Sequence, residues 1–471
     1  MSMKQEALKS LFIIKRKPLL IILAVLLAIT LWNPFQLTPM QSVLFATFMF
    51  AVGSWATGAL DRTLTSVLLL ISFLIFGNTK PLSILGFVWS DVLLLIAFSS
   101  LLSVALGKNI WLRSVLSRFV LKTTRKKVVF YAMPYLLGIA LIFLIPQAFA
   151  RVVLLAGLYG ALMRKDDALS EARYAVFFHI YMAVTVTYMM FIGGDIVLNY
   201  SLATFVSEAV DVTLDGFTWL KMMGVPTLVL SALMIVLVNV LLKKELPADP
   251  VSLFALEPEK EARSVTAAET KKDALGLVVM VLIVLFWATE GWHGIAGWMP
   301  ALGGVILLFL LGRLHVSDLS AINPKFLIFL MAAFNIGQVL RNSGVMAAIM
   351  EQLKTLIPDG GSFLFLPALI LITMLLHLFI GSVVATLSVV IPLLLPLAIL
   401  AGVSPYETAL IFYMTGNLHF LLPFHQANMM IGAGRGELQE RHMLRYGIVM
   451  TVAIFLIIFG LYRPWWSLIS P

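Results

Sequence analysis

Apolar runs of roughly 15 to 25 residues recur along this chain from Leu19 to Leu461, and that repetition constrains the fold more than any other feature. A helix rises about 1.5 Å per residue, so runs of this length match the hydrocarbon thickness of a bilayer. A membrane β-barrel would instead show short segments of alternating polarity. Composition agrees: 61% of residues are hydrophobic and 12% charged, with a mean hydropathy of +1.00, whereas soluble domains sit near half and a quarter. The expected fold is an all-α polytopic membrane protein. The absence of cysteine excludes disulfides and thiolate metal sites.

Spanning helices are predicted near 18–33, 41–57, 63–77, 88–107, 172–206, 222–242, 274–290, 297–312, 325–341, 404–432 and 443–463. Two further segments, 128–163 and 362–400, are apolar but too long for one span and are interrupted near the middle, by Pro146-Gln147 and by Gly381-Ser382. Each reads as two half-helices that enter and leave on one side, a re-entrant hairpin. The run from Pro18 to Trp32 follows Lys4, Lys9, Lys15, Arg16 and Lys17 and lacks a clear small-residue cleavage site, so an uncleaved first span is expected.

Placement of the +9 net charge tests this arrangement. With the N-terminus cytoplasmic, 27 of the 33 Lys and Arg residues fall in the segments 1–17, 58–62, 108–127, 164–173, 243–273, 313–325 and 433–445, and five on the other side. Positive loops stay cytoplasmic, and reading either hairpin as a full span would spoil the split. Trp32, Trp287, Trp292, Trp298, Trp465 and Trp466 lie near the predicted interfaces, as an aromatic belt requires. A basic patch at 122–127 then serves as a topogenic anchor, not as a nucleic-acid surface.

The proline-bearing stretch 243–273 reads as a cytoplasmic linker between an N-terminal half, 1–242, and a C-terminal half, 274–471. The halves match at an offset of about 235 residues. The run from Asp91 into Gly107-Lys108-Asn109 corresponds to the run from Lys325 into Asn342-Ser343-Gly344. Amphipathic stretches at 109–121 and 345–356 follow, then the hairpins, then the broken helices 172–206 and 404–432. Five full spans separate the hairpins, an odd number, so they open to opposite sides and the repeats are inverted. Inverted repeats with broken helices belong to transporters that alternate access around one site.

Polar residues at bilayer depth mark the candidate site, because non-helical backbone there must be buried in protein or line a cavity. One break is Leu421 to Gly434, carrying Pro423, His425, Gln426 and Asn428; the other is Phe191 to Asn199, carrying Gly193, Gly194 and Asp195. Arg151 in the first hairpin suits carboxylate, sulfate or phosphate through its planar fork; the alternative is an internal salt bridge to Asp195. Asp195 is a candidate cation or proton site, against capping of the next half-helix. Asn199, one turn on, either faces the same cavity or packs between helices. His425 is placed to relay protons, whereas His179 and His419 are expected to hydrogen-bond neighbouring helices. Gln426 and Asn428 are candidate substrate contacts, against helix capping, and Gln147, Ser382 and Thr386 are candidate contacts at the hairpin tips. No histidine pair has metal-ligand spacing.

The stretch from Pro423 to Gly434, followed by a basic turn and Met443-Leu-Arg-Tyr-Gly447, resembles the break in the tenth helix of the divalent-anion sodium symporter family. That family transports dicarboxylates, citrate or sulfate, and the hairpin order, linker and eleven spans resemble it too. The resemblance implies tips with a Ser-Asn-Thr motif that holds sodium and a substrate carboxylate. Both tips here depart from it: the second, Gly381 to Thr386, lacks the asparagine, and the first, Ile145 to Arg151, has an amide and a cation instead.

The expected function is secondary active transport of a small anion across the cytoplasmic inner membrane, coupled to Na⁺ or H⁺, without any other cofactor. Elevator-like motion is expected, in which hairpins and broken helices carry the site past a scaffold that the resemblance makes a homodimer interface. A membrane-embedded transferase acting on a lipid-linked substrate is an alternative, but no metal-ligand triad, nucleotide-binding motif or soluble catalytic loop supports it. A transport-incompetent sensor or partner subunit of the same fold is a third.

Overall fold

The computed structural model describes residues 16–124, 126–163, 169–247, 249–254, 267–353 and 362–469. The basic segment before Arg16, Arg125 of the basic patch, residues 164–168 and 354–361, and residues 248 and 255–266 of the linker 243–273 lie outside them. The described residues are helical, with no strand among them beyond one isolated bridge between Met163 and Phe254.

In the first half the main helices are α1 (Arg16–Trp32), α2 (Pro39–Thr57), α3 (Arg62–Phe76), α4 (Asp91–Gly107), α5 (Ile110–Thr123), α6 (Lys127–Ala140), α7 (Ala148–Leu162), α8 (Ser170–Thr187), α9 (Ile196–Val210) and α10 (Gly216–Leu241). In the second they are α11 (Ala267–Ala288), α12 (Trp298–Leu310), α13 (Pro324–Asn342), α14 (Val345–Leu353), α15 (Phe365–Ile380), α16 (Val383–Leu400), α17 (Pro405–Leu418), α18 (Ala427–Gly434), α19 (Glu440–Ile457) and α20 (Arg463–Ile469). The order α4 to α10 thus recurs as α13 to α19. Among the described residues, five helical stretches are long and apolar enough to cross a membrane, and six more are apolar but shorter.

Helix ends follow local chemistry. Thr38 and Gln41 form a capping box at α2, with Pro39 in the first turn, where its missing N–H costs nothing. Asp61 caps α3, accepting from the N–H groups of Thr63 at 2.9 Å and Leu64 at 3.1 Å. Asp215 and Asn323 cap α10 and α13 in the same way. Gly381 ends α15 in the left-handed region at φ +66°, a conformation that costs a residue with a Cβ.

The chain divides into two compact units, each drawn from both halves of the sequence: residues 1–93, 201–214 and 323–419, and residues 94–200, 215–322 and 420–471. In the first unit α3 packs between α2 and α13, and α16 against α13 and α17. Its core includes the edge-on pair Trp55–Phe329, with ring centroids 5.1 Å apart. Gly337 of α13 lets the backbone at Glu208 and Ala209 approach, for a Cβ there would lie 3.4 Å from both.

In the second unit α8 packs on α6, α7, α10 and α18, and α11 on α5 and α12. Asp273 of α11 is fully buried and caps a helix other than its own. Its Oδ2 accepts from Ile110 N and Trp111 N, both at 3.0 Å, at the start of α5. Arg313 pairs with its other oxygen. A buried carboxylate needs such partners, and here they fix α5 against α11.

Candidate functional site

Within the second unit, three interruptions of helix meet. The segment 144–147 separates α6 and its terminal 3-10 turn from α7; Tyr188 to Asp195 separates α8 from α9; and Pro423 to Gln426 precedes α18. Each break frees backbone groups that a low-dielectric interior requires to be satisfied. Most of the polar residues singled out in the sequence satisfy them.

Arg151 lies in the first turn of α7 and is fully buried. Its Nη1 donates to Ile145 O at 2.6 Å, a carbonyl freed by the first break. Its Nη2 donates to Gly194 O, freed by the second. Nε has no hydrogen-bond partner among the described residues. A third link closes the same junction, Ile196 N donating to Pro146 O at 3.1 Å. No ion pair joins Arg151 to Asp195, so the internal salt bridge is not what holds the guanidinium: freed carbonyls at two breaks lie nearer its fork. Asp195 acts on it through space and spends an oxygen on capping α9, Oδ1 accepting from Val197 N at 3.1 Å.

Asn199 lies inside this junction. Its Nδ2 donates to Tyr188 O and to Phe191 O, each at 3.0 Å, so the amide binds the carbonyls at the end of the α8 segment. Gly194 is needed for the same turn, since a Cβ there would fall on the Tyr188 carbonyl oxygen. Gln147 is the N-cap residue of α7, but its amide is turned to the paired hydroxyls of α4, with Nε2 3.2 Å from Ser99 Oγ and 2.8 Å from Ser100 Oγ. Its Oε1 is buried with no hydrogen-bond partner among the described residues.

The third break is organised by Gln426 and His425. Gln426 Oε1 caps α18, accepting from Asn428 N at 2.6 Å and Met429 N at 3.4 Å. Its Nε2 donates to the Tyr188 hydroxyl at 3.1 Å. Asn428 Nδ2 donates to Thr185 Oγ1 at 3.2 Å. His425, 2% exposed, accepts at Nδ1 from Leu421 N at 3.2 Å and Leu422 N at 3.4 Å, so the neutral tautomer bearing its proton on Nε2 fits this turn.

The first unit holds the second hairpin pair, α15 and α16. Ser382 is the N-cap residue of α16 and makes no side-chain capping bond. Thr386 Oγ1 donates to Ser382 O at 2.9 Å and lies 3.0 Å from Nδ1 of His377 on α15. Arg151 and Thr386 occupy the same place, the fourth residue of α7 and of α16. His419 is buried at the end of α17, its N–H bonded to Thr415 O.

Sequence reasoning treated as one site residues that the structure divides, with Arg151, Gln147, Asp195, Asn199, His425, Gln426 and Asn428 in one unit and Ser382 with Thr386 in the other. It missed Tyr188, whose carbonyl and hydroxyl both serve the junction, and His377, Ser99, Ser100 and Thr185. The signal for the serines was present as adjacent hydroxyls in an apolar run. His179 departs from its expected role: neither ring nitrogen has a hydrogen-bond partner among the described residues. Its ring instead lies 4.8 Å from that of Tyr131 at an interplanar angle of 32°, because its surroundings on α8 are apolar.

Buried polar groups at helix breaks in an apolar, helical chain are the arrangement that membrane transporters build their binding sites from. Residues 14–470 match the family model described as the sodium:sulfate symporter transmembrane region, and the chain belongs to that family. Among curated proteins it is 28% identical over 265 residues to the chloroplastic dicarboxylate transporter 2.2 of Arabidopsis thaliana, covering 54% of this chain and 46% of that one. It is 25% identical over 266 residues to a membrane protein of Cupriavidus necator, covering 53% and 51%. The match thus spans about half the length of these relatives. Among solved structures, the YdaH transporter of Alcanivorax borkumensis shares the fold at TM-score 0.52 and 16% identity, over 84% of this chain and 87% of that one.

Proposed function

We propose that this chain is a secondary active transporter of a small divalent anion, a dicarboxylate or sulfate, in the cytoplasmic inner membrane. The observation that carries the proposal is a fully buried guanidinium at the junction of two helix breaks. A charge at bilayer depth is costly and its retention marks a substrate or ion path. The Arabidopsis relative's name supports the dicarboxylate class, and the family description supports sulfate.

Arg151 supplies the positive potential of the anion site, and its Nε has no hydrogen-bond partner among the described residues. Gln147, with an unused carbonyl oxygen, and the amides Gln426 and Asn428 orient the anion at their own breaks, while Ser382 and Thr386 offer hydroxyls at the other tip. Asp195, Asn199 and His425 are the groups for the coupling Na⁺ or proton. Transport proceeds by elevator-like alternating access, with a cytoplasmic N-terminus, re-entrant tips and a homodimeric scaffold.

Counterflow of labelled succinate, sulfate and phosphate into proteoliposomes tests this. Exchange of at least one divalent anion, with a weakened apparent affinity in Arg151→Gln, is expected. Absence of any flux, or an unchanged affinity in that variant, overturns the assignment.

A further inference from the structure

We infer that the space between α6, α8 and α19 holds a proton path, lined by Tyr131, Tyr135, His179, His442 and Tyr446, that runs from the basic end of α19 toward the third break. The inference rests on the transporter reading and deepens it by making H⁺ the coupling ion. All five side chains are buried, and none of their hydroxyls or ring nitrogens has a hydrogen-bond partner among the described residues. Buried polar groups left unpaired are costly and rare. Apolar side chains would fill the same space at lower cost, so five such groups on three adjoining helices call for a role beyond packing.

The five groups adjoin one another. Tyr131 and Tyr135 lie one turn apart on α6, and His442 and Tyr446 one turn apart on α19, so each pair shares a helix face. The His179 ring is 4.8 Å from that of Tyr131. Its neighbour Phe178 meets both residues of the other pair, with ring centroids 6.2 Å from His442 and 5.9 Å from Tyr446. Tyr135 lies close enough to Tyr446 for the two to act on each other electrostatically. Beyond these groups, the helices packed on α8 bring few that titrate: Lys127 at the start of α6, Arg151 and Tyr159 on α7, Lys221 on α10 and none on α18. On α8 itself, Tyr181 is committed to Glu437, donating to Oε2 at 2.6 Å.

The two ends of the cluster give it a direction. At the outer end, cytoplasmic in the topology proposed above, His442 stands in the field of Arg441, Arg445 and Glu245. Arg445 holds one Glu245 oxygen, and the other, Oε2, is buried without a hydrogen-bond partner among the described residues. At the inner end, the Tyr446 ring stacks on that of Phe420 at 4.8 Å, and a Cβ at Gly447 would fall on the Phe420 carbonyl oxygen. Phe420 leads into the third break, which carries His425. Histidine titrates between pH 5 and 8, and a hydroxyl can accept one proton while donating its own. With water bridging the gaps, a proton taken up at His442 passes to Tyr446 and Tyr135, each carrier returning to its neutral form as it releases a proton. The net step moves one H⁺ along α19 and breaks no other bond. His179, over Tyr131, is a second ring that can hold the proton in transit.

The test uses the purified full-length protein in Na⁺-free proteoliposomes with labelled sulfate and succinate. Two quantities are read. One is counterflow at equal pH on both sides, which needs no net proton movement; the other is accumulation driven by a gradient from about pH 6 outside to about pH 7.5 inside, a range in which histidine titrates. Wild type is expected to do both with whichever anion it exchanges. His442→Gln and His179→Gln are expected to keep counterflow and to lose the gradient-driven accumulation. Accumulation that persists in either variant, or that is absent from a wild type showing counterflow, overturns the inference and leaves the anion-transporter reading intact. Loss of counterflow in equal measure also overturns it, since the residues would then be structural. Absent counterflow in wild type overturns the transporter reading itself, and the inference with it. Should the glutamine variants fail to fold, Tyr446→Phe, which removes a single oxygen, decides: accumulation lost with counterflow kept supports the path, and accumulation equal to wild type overturns it.

Discussion

The Gln426 amide donates to the Tyr188 hydroxyl at 3.1 Å while its oxygen caps α18, so one side chain ties the third helix break to the turn that ends α8. A glutamine at an N-cap is unusual, since shorter side chains reach the free N–H groups more easily. Here its length serves both contacts. Gln426→Ala is expected to cost about 1–2 kcal/mol for the cap, plus about 1 kcal/mol for the lost hydrogen bond to the Tyr188 hydroxyl. Tyr188→Phe is expected to cost only about 1 kcal/mol. A double-mutant cycle by chemical unfolding checks this, and additive losses would show that the two residues do not interact.

Adjacent glycines in the second break make a sharper contrast. A Cβ at Gly194 would fall on the Tyr188 carbonyl oxygen, whereas a Cβ at Gly193 meets nothing within 4 Å. Backbone cannot move aside as a flexible side chain can. Gly194→Ala is expected to destabilise by about 2–3 kcal/mol, the scale of overpacking, and to impair transport, because Gly194 O is also an Arg151 acceptor. Gly193→Ala should be near neutral in both. Parallel Tm and counterflow measurements on the two variants check this, and similar losses in both would refute it.

These contacts show what was legible in the sequence. The apolar runs, the interruptions at Pro146, Gly194, Gly381 and Pro423, and the order of elements were all readable, because each is a local consequence of hydrophobicity or of a residue that ends a helix. That Arg151, Asp195, Asn199 and Gln426 stand out in apolar surroundings was legible too; that Ser382 and Thr386 belong to the other unit was not. Their partners were not. Whether Arg151 meets a carboxylate or a carbonyl depends on ångström-scale placement of backbone freed by a break, and backbone acceptors carry no mark in sequence. Tyr188 was overlooked for the same reason, since its carbonyl does as much as its hydroxyl. The mixing of both halves of the chain in each compact unit reflects long-range packing that no local pattern encodes.

Glu245 lies beyond the end of α10, where Arg445 Nη1 donates to its Oε1 at 2.9 Å and to Leu241 O at 3.1 Å, tying the start of α19 to the end of α10. Desolvation pushes the Glu245 carboxyl up, and the hydrogen bond and charge of Arg445 outweigh it, leaving the group below its ordinary value. A carboxyl depressed in the folded state contributes stability above its unfolded pKa, about 4.3, and loses it as pH falls through the folded value. Glu245→Gln is therefore expected to be less stable than wild type at pH 7 by about 0.5 kcal/mol, the scale of a partly exposed pair. The gap should close as pH falls below about 4. Thermal unfolding of both proteins from pH 7 to pH 3.5 checks it, and a gap that widens on acidification would contradict the sign.

Asp195 offers the clearest separation of capping from charge. Its Oδ1 caps α9 through Val197 N, and its charge acts on the buried Arg151 without touching it. Asparagine caps as well as aspartate does, so if capping were its whole role, Asp195→Asn would be nearly neutral. Removing a carboxylate that opposes a fully buried guanidinium is a different matter, because uncompensated buried charge costs about 3–5 kcal/mol. Asp195→Asn is expected to lose an amount nearer that figure, and Asp195→Ala about 1 kcal/mol more for the cap. In Arg151→Ser the same Asp195→Asn change should no longer destabilise, since the guanidinium it balanced is gone and the carboxylate is then the unpaired charge. Chemical unfolding of the two single variants and the double variant measures this coupling, and a neutral Asp195→Asn in the wild-type background would reduce the aspartate to a cap.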